Sequence, residues 1–323
     1  MPKGKFAKHL QIYKISDLYI ISMAIILAVV NLAASPLLDN WLSDFFTLII
    51  LIILPALLIT HHYKLFGDSR TIEKSRKFHE KFIFYARQFY FPFAVLTIYT
   101  IFQPLIKTFH PVDFDLILNQ WDIALLGMKA AEVFSGFANP FLTEFLQITY
   151  TSFYFLPLIV GFELYRRHND EFDLFARNII FTFFFSYILY FIMPAIGPRF
   201  VVYDFAALDK ELPGVFLTHY LREAINFGGG VFDKTVNPAL IVNRDCMPSG
   251  HTMITLATIF WAYRLNTKVR HIILIFGISL IFATIYLRYH YLVDIIAGII
   301  FAALSLWLEP IFNKYFRNIV NKI

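Results

Sequence analysis

The sequence predicts an all-α, polytopic membrane protein, and three observations support this fold class. Of the 323 residues, 58% are hydrophobic and only 16% are charged, whereas ordinary soluble domains are about 25% charged. The mean hydropathy is +0.62. The apolar residues also cluster into runs of about 20, the length that an α-helix needs to cross a bilayer. A soluble globular protein is therefore excluded.

Eight of these runs are predicted to be membrane-spanning helices. They lie near 18–38, 42–61, 83–106, 141–165, 174–196, 251–267, 270–288 and 290–309. The segment 119–140 is too polar to span, and the helical spacing of its apolar residues predicts an interfacial helix. We therefore expect residues 1–82 to be a cytoplasmic segment with two extra helices. Residues 83–323 would then form a catalytic core of six helices with an interfacial segment over 107–140.

Basic residues predict the orientation of the helices, because lysine and arginine are enriched in cytoplasmic loops. With eight spans, the basic segments all fall on one side. They contain Lys3, Lys5, Lys8 and Lys14, then Lys64, Arg70, Lys74, Arg76, Lys77 and Lys81, then Arg166, Arg167 and Arg177, then Arg264, Lys268 and Arg270, and finally Lys314, Arg317 and Lys322. Both termini are therefore expected in the cytoplasm and the loop 197–248 on the extracytoplasmic side. The net charge of +5 is assigned to this orientation and not to nucleic-acid binding.

Two short motifs fall on the predicted outer side. Pro-Ser-Gly-His ends at His251, and His-Tyr-Leu-Val-Asp runs from His290 to Asp294. The 39 residues between the two histidines correspond to two spans of about 20 residues joined by a tight turn, so both are expected at one membrane face. Asp294 lies at i+4 from His290, where a carboxylate can accept the imidazole N–H and leave the other ring nitrogen as a nucleophile.

A phosphate site is predicted around the same motifs. Ser249 and Gly250 open a helix, whose free backbone N–H groups and positive dipole end suit an anion. Arg199 lies at the outer end of the fifth span, and Arg288 lies two residues before His290. Arginine matches phosphate oxygens in bidentate fashion. The combination favours phosphoryl transfer, in which positioning and charge neutralisation dominate.

Other outer-side features each have two interpretations. Arg244 is either a further phosphate ligand or a partner of Asp245. The "FGGG" at 227–230 either hinges a lid or forms a plain turn. Cys246, the single cysteine, excludes an internal disulfide and is interpreted as a small packing residue. One histidine and three aspartates either bind a polar acceptor or, as we favour, form a solvated rim: His110, Asp113, Asp115 and Asp122.

The blocks "PSGH" and "RYHYLVD" resemble the type 2 phosphatidic acid phosphatase superfamily, over about residues 174–309. The resemblance implies that His290 attacks phosphorus and forms a phosphohistidine, that Asp294 orients it, and that His251 protonates the leaving group. It also implies phosphate binding, without a metal or other cofactor, by the matching arginine, serine and glycine: Arg199, Ser249 and Gly250.

The sequence departs from the family pattern in two places. Ala283 and Thr284 stand where the family has Ser-Arg, so Arg288 is expected to supply the missing charge. Ile192 and Phe200 stand where the family has a lysine and a proline around the first arginine. The compact "LRYHYLVD" block is more similar to the inositol phosphorylceramide synthase and sphingomyelin synthase branch, which moves head groups between lipids.

We therefore expect an integral membrane phosphotransferase that acts on phospholipid or phosphosphingolipid head groups at the outer face, with an alcohol or lipid acceptor. The alternative is a phosphatase acting on phosphatidic acid, phosphatidylglycerophosphate or a polyprenyl diphosphate. An inactive lipid-binding relative and a transporter are further alternatives. A transporter would spread charges through several helix middles, whereas these residues cluster near helix ends at one face.

Overall fold

The secondary structure is helical throughout the described residues. A computed structural model describes residues 13–67, 76–167, 169–232 and 237–322. These residues form α-helices and short 3₁₀-helices, with no β-strand among them, so the predicted all-α class is confirmed. Some basic residues used to predict the orientation lie outside the described residues: Lys3, Lys5, Lys8, Arg70 and Lys74.

The α-helices are numbered here in chain order. They are α1 Ile15–Ala33, α2 Trp41–Phe66, α3 Phe78–Phe89, α4 Phe91–Phe109, α5 Asp115–Leu126, α6 Pro140–Thr151, α7 Phe155–Arg167, α8 Asn169–Ile192, α9 Pro198–Val201, α10 Leu208–Glu211, α11 Thr218–Gly228, α12 Gly250–Arg264, α13 Arg270–Tyr286 and α14 Leu292–Lys322. The 3₁₀-helices are Ser35–Leu37, Ala130–Phe137, Ser152–Tyr154, Phe205–Ala207 and Pro238–Leu240.

Local sequence signals explain where several helices begin and end. The side chain of Asn139 accepts a hydrogen bond from the Leu142 N–H, and Pro140 occupies the first position of α6. Proline suits that position because the first N–H groups of a helix have no partner within the helix. Helix α5 ends at Gly127, whose left-handed backbone (φ 73°) is typical of a helix C-terminus.

The chain is a multi-pass membrane protein, but the structure has fewer clear spans than the predicted eight. Each predicted run is mostly helical. Within the described residues, five helices are long and apolar enough to cross a membrane, or six if α3 and α4, bent by 57° at their junction, count as one span. The predicted spans 251–267 and 270–288 are α12 and α13, of 15 and 17 residues. At 1.5 Å per residue, 15 residues cover only about 22 Å of a core about 30 Å thick.

The helices group into two compact units. One contains the described residues of Met1–Thr108, His168–Phe184 and Leu306–Ile323, and the other contains Phe109–Arg167 and Phe185–Ser305. The second unit holds both predicted motifs. The predicted interfacial segment is helical as well, since it folds into α5 and the 3₁₀-helix Ala130–Phe137.

The first unit contains a buried ion pair between α1 and α3. Asp17 is 0% exposed, and its two carboxylate oxygens accept hydrogen bonds from Arg87 at 2.7 and 3.2 Å. The Tyr90 hydroxyl donates a third bond to Asp17 at 2.6 Å. Because a charge in an apolar interior is costly without a partner, these bonds fix how the two helices meet.

Removing one partner of this pair should destabilise the protein. Asp17→Leu leaves Arg87 buried without its carboxylate, so we expect the free energy of unfolding to fall by about 3–5 kcal/mol. The double variant Asp17→Leu/Arg87→Met should recover most of the loss. Thermal midpoints in detergent measure both. The exposed pair Lys129–Glu132 offers a matched control, Glu132→Leu, and an Asp17→Leu shift no larger than this control would contradict the prediction.

Candidate active site

The first motif forms the beginning of α12. Ser249 is the N-cap residue. The Ser249 hydroxyl accepts hydrogen bonds from the Thr252 backbone N–H at 3.2 Å and from the Thr252 hydroxyl at 3.0 Å. Ser249 is 0% exposed. The next residue is Gly250, where a Cβ would overlap the hydroxyl of Tyr190 unless that side chain moved. The start of α12 is therefore closely packed, with Ser249 already used as its cap.

The two histidines meet, although 39 residues separate them. The His251 Nδ1 lies 3.2 Å from the His290 Nε2. On the other side of the His290 ring, Nδ1 lies 2.9 Å from the Cys246 carbonyl oxygen and 3.3 Å from the Asp294 Oδ2. A carbonyl oxygen can only accept, so the His290 Nδ1 is a donor and the lone pair of the neutral ring is on Nε2. This is the tautomer that a nucleophilic Nε2 requires.

Cys246 completes the surroundings of His290. Its thiol donates to the Asp294 Oδ2 at 2.9 Å and lies 3.4 Å from the His290 Nδ1. Burial raises the pKa of this thiol well above its ordinary value, and the carboxylates of Asp294 and Asp115 raise it further. The thiol is therefore a proton donor to the carboxylate that also contacts His290, in addition to the packing role that the sequence predicted.

Cys246, His290 and Asp294 are also the one group among the described residues with a donor set that a metal ion could use. Their ligand atoms lie within 4.8 Å of one another. These same atoms are hydrogen-bonded to each other, so a metal ion would have to displace their protons. The absence of a metal from the reaction stays a prediction.

Arg199 is held beside this group by aromatic rings. Its guanidinium lies 4.5 Å from the ring centres of both Tyr289 and Phe200, and it donates a 2.8 Å bond to the Asn226 side-chain oxygen. Tyr289 stacks on Tyr150 at 4.1 Å. A column of stacked groups thus begins at Arg199, and rings can bind a cation on their faces.

The column ends at the second histidine. Tyr150 stacks on His251 with 4.6 Å between ring centres and 24° between ring planes, and Phe153 packs against the same imidazole at 4.4 Å. The orientation of the His251 ring is therefore set by α6 and the 3₁₀-helix that follows it. No motif marks Tyr150, Phe153 or Asn226 in the sequence, and we did not predict them.

The other two predicted arginines bind protein carboxylates. Arg288, in a left-handed backbone conformation (φ 65°), pairs with Glu211 and lies 4.2 Å above the ring of Tyr203. Arg244 forms two 3.2 Å bonds to the carboxylate of Asp113. The structure thus brings Arg199, Ser249, Gly250 and the histidine pair together, whereas the guanidinium groups of Arg288 and Arg244 are engaged with other side chains.

The solvated rim predicted for Asp115 and Asp122 is wrong, because both are buried, at 2% and 1% exposure. Asp115 accepts bonds from the backbone N–H groups of Ile196 and Gly197 at 2.9 and 2.8 Å. Asp122 accepts two 2.9 Å bonds from the first backbone N–H groups of α14. These backbone N–H groups have no acceptor within their own element, and the two carboxylates supply one. The carboxylates thereby fix the segments that carry Arg199 and Asp294.

Comparison with known proteins supports the predicted resemblance. The family model of the PAP2 superfamily matches residues 124–308, more than half of the chain and all of the predicted site. A PA-phosphatase related-family protein of Dictyostelium discoideum is 28% identical over 182 residues, which are 51% of this chain and 31% of the relative. The match thus spans about a third of that relative's length. No solved structure matches the chain.

The contact between Gly250 and Tyr190 predicts that Gly250→Ala destabilises the protein and that a second substitution, at Tyr190, recovers part of the stability. Gly250→Ala should lower the free energy of unfolding by about 1–3 kcal/mol, because its methyl group overlaps the Tyr190 hydroxyl. Gly250→Ala/Tyr190→Phe removes the hydroxyl and should recover part of the loss, as read from thermal midpoints. Tyr190→Phe alone is the control. Equal midpoints for the single and double Gly250 variants would show that the overlap is not the cause.

The environment of Cys246 predicts an unreactive thiol. Its raised pKa keeps it protonated near pH 8, and only the thiolate reacts fast with maleimides. We expect no labelling of the folded protein and complete labelling after denaturation in detergent, measured by mass spectrometry. His219→Cys, at an exposed position, supplies the positive control. Labelling of native Cys246 at the rate of that surface thiol would contradict the hydrogen bond to Asp294.

Proposed function

Because the chain belongs to the PAP2 superfamily, we propose that it is an integral membrane enzyme of the phosphatase type that acts on the phosphate ester of a lipid. The observation that carries this proposal is the pair of facing imidazoles. His290 presents a lone pair on Nε2 because its Nδ1 donates to the Cys246 carbonyl, and the His251 Nδ1 lies 3.2 Å from that Nε2. A nucleophile and a proton carrier therefore lie side by side.

The first half of the proposed reaction breaks the bond between phosphorus and the lipid alcohol. The His290 Nε2 attacks phosphorus in line and forms a phosphorus–nitrogen bond, while the bond from phosphorus to the lipid oxygen breaks. That oxygen takes a proton from His251, which enters this step as an imidazolium. Asp294 and the Cys246 carbonyl hold the Nδ1 proton and stabilise the positive charge that develops on the His290 ring. Arg199 and the backbone N–H groups at the start of α12 are suited to neutralise the phosphate oxygens.

The second half returns the enzyme to its starting state. An acceptor hydroxyl gives its proton to His251 as its oxygen attacks phosphorus, and the bond to His290 breaks. With a lipid or polyol alcohol as acceptor the product is a new phosphoester. With water it is free phosphate if the substrate is a phosphomonoester, and the phosphorylated head group if the substrate is a phosphodiester. The "LRYHYLVD" block supports an alcohol acceptor. Hydrolysis is the second candidate, and the name of the Dictyostelium relative, PA-phosphatase related, favours it.

The proposed substrates are phospholipids or phosphosphingolipids that reach the site from the bilayer. The distribution of lysine and arginine supports cytoplasmic termini and an active site on the extracytoplasmic side. Five helices of the described chain are long enough to span a bilayer, which supports lateral access of a lipid substrate between helices.

The acceptor can be identified directly. Purified protein would be incubated with lipids labelled in the phosphate, with and without inositol, ceramide or diacylglycerol. Label on a new lipid, or on inositol only when inositol is supplied, identifies a phosphotransferase and its acceptor. Labelled inorganic phosphate or a labelled phosphorylated head group, formed without any acceptor, identifies a hydrolase. If neither product forms with any lipid phosphate supplied, the proposed function is wrong.

The histidine roles predict distinct variant behaviour. His290→Ala should abolish turnover, and His251→Ala should slow the reaction of a lipid substrate by about 10²–10⁴, the usual contribution of general acid–base catalysis. With an aryl phosphate, whose leaving group needs no proton, His251→Ala should accumulate acid-labile phosphoenzyme. Quench-flow with ³²P-labelled substrate measures both.

His271→Ala is the matched control, since His271 lies in the first turn of α13 and bonds to Tyr263. It should retain full activity. Phosphoenzyme in the His290→Ala variant, or unchanged lipid turnover in His251→Ala, would exclude the proposed roles.

A further inference from the structure

Helix α11, in the loop that follows Arg199, buries a stripe of polar residues and exposes a stripe of apolar ones, which lies beside the exposed His219 and Glu223. The residues of the inward stripe are Thr218, Arg222 and Asn226, at 3%, 6% and 5% exposure. The outward stripe carries Leu217, Tyr220 and Phe227, at 49%, 71% and 68% exposure. A surface helix in water normally buries its apolar stripe. The exposed apolar stripe, with polar residues beside it, indicates that α11 lies at the boundary between an apolar medium and water.

The inward polar residues all have protein partners. Arg222 pairs with Asp209 and donates to the Leu212 carbonyl at 3.1 Å. Asn226 accepts the 2.8 Å bond from Arg199. Ile225, between them, packs against the apolar cluster that contains Tyr150 and Tyr289. The inner face of α11 is therefore part of the wall behind the phosphate-binding arginine.

The start of α11 is tied to the end of a membrane-spanning segment. The carboxylate of Glu144, in the second turn of α6, accepts bonds from the backbone N–H groups of four consecutive residues, 215–218, at 2.6–3.3 Å. The Thr218 hydroxyl adds a fifth at 2.6 Å. Glu144 belongs to the span Pro140–Arg167, so the beginning of α11 lies where that span leaves the hydrocarbon core.

Exposed aromatic residues continue across this junction. Phe141 and Phe145, on either side of Glu144 in α6, are 76% and 44% exposed, and Phe216, just before α11, is 81% exposed. These phenylalanines give the junction an exposed apolar surface, and α11 adds Tyr220, a residue type that is enriched at membrane–water interfaces. The outward stripe of α11 thus extends the lipid-facing surface of the span.

We propose that α11 lies in the membrane interface with Leu217, Tyr220 and Phe227 against lipid, and that this contact keeps Arg199 in position through Asn226. The second part rests on the proposed function, in which Arg199 binds phosphate. Gly228 to Gly230, at the end of the helix, then form a hinge on which α11 can adjust to the surface, with Gly230 in a left-handed conformation (φ 82°).

The position of α11 can be measured without any substrate. Spin labels would be placed at Tyr220→Cys and Phe227→Cys, with His219→Cys as the control on the polar flank, in protein reconstituted into phosphatidylcholine bilayers. Native Cys246 is 3% exposed and should not react, which unmodified protein would verify. We expect positions 220 and 227 to collide more with lipid-soluble oxygen than with a water-soluble nickel chelate, and position 219 to show the opposite preference.

Two results would overturn the location. Equal access of the nickel chelate to all three positions would place α11 in water. Protection of positions 220 and 227 from both reagents would mean that a second copy of the chain or another protein covers the stripe. Two labelled stripe positions are used so that failure of one variant to fold leaves the other informative.

The link to Arg199 is tested by binding of orthovanadate, a phosphate mimic, in the same bilayers. Tyr220→Ser/Phe227→Ser and Asn226→Ala should each raise its Kd by about tenfold, as expected when a hydrogen bond to a charged group is lost, whereas His219→Ser should not. Unchanged Kd in the stripe variant overturns the link. No vanadate binding by the wild type overturns the proposed phosphate site and the link with it, while the label accessibilities still decide where α11 lies.

Discussion

The geometry of the site depends on the hydrogen bonds that hold the Nδ1 side of the His290 ring. Its Nδ1 donates to the Cys246 carbonyl oxygen at 2.9 Å and lies 3.3 Å from Asp294, and these contacts determine both the tautomer and the direction of Nε2. Asp294 is itself held by the Cys246 thiol and the Tyr291 N–H, at 2.9 Å each. Since all of these groups are buried, none can exchange its partner for water without a large cost in free energy. The nucleophile is therefore fixed before any substrate arrives.

Three carboxylates position the surrounding segments in the same way: Asp115 and Asp122, which are buried, and Glu144, which is half-buried. Asp122 binds the first N–H groups of α14, Asp115 binds those of Ile196 and Gly197, and Glu144 binds four consecutive N–H groups before and at the start of α11. Helix starts and turns have N–H groups without partners in their own element. Where such groups are shielded from water, they need protein acceptors. The carboxylates supply them and join the segments that carry the site residues.

The three arginines predicted to bind phosphate have different surroundings in the structure. Arg199 lies between two aromatic rings and donates to a neutral amide oxygen, so its charge is not neutralised by the carboxylates that bind the other two. Arg288 and Arg244 pair with Glu211 and Asp113. Among the described residues, no carboxylate forms an ion pair with Arg199, and a guanidinium without such a partner keeps its full attraction for phosphate. This favours Arg199 as the anion-binding group of the three.

The sequence by itself determined the helical membrane class, the facing histidines and the i,i+4 carboxylate. Each of these follows from local rules: hydropathy over about 20 residues, caps, and the spacing of two spans. The tertiary structure alone decided that Cys246 donates to Asp294, that Asp115 and Asp122 are buried caps, that Tyr150 stacks on His251, and that two of the three arginines are paired. These contacts join residues that are mostly distant in the chain. No local periodicity encodes them, because they form only when separate helices pack and their buried polar groups find partners.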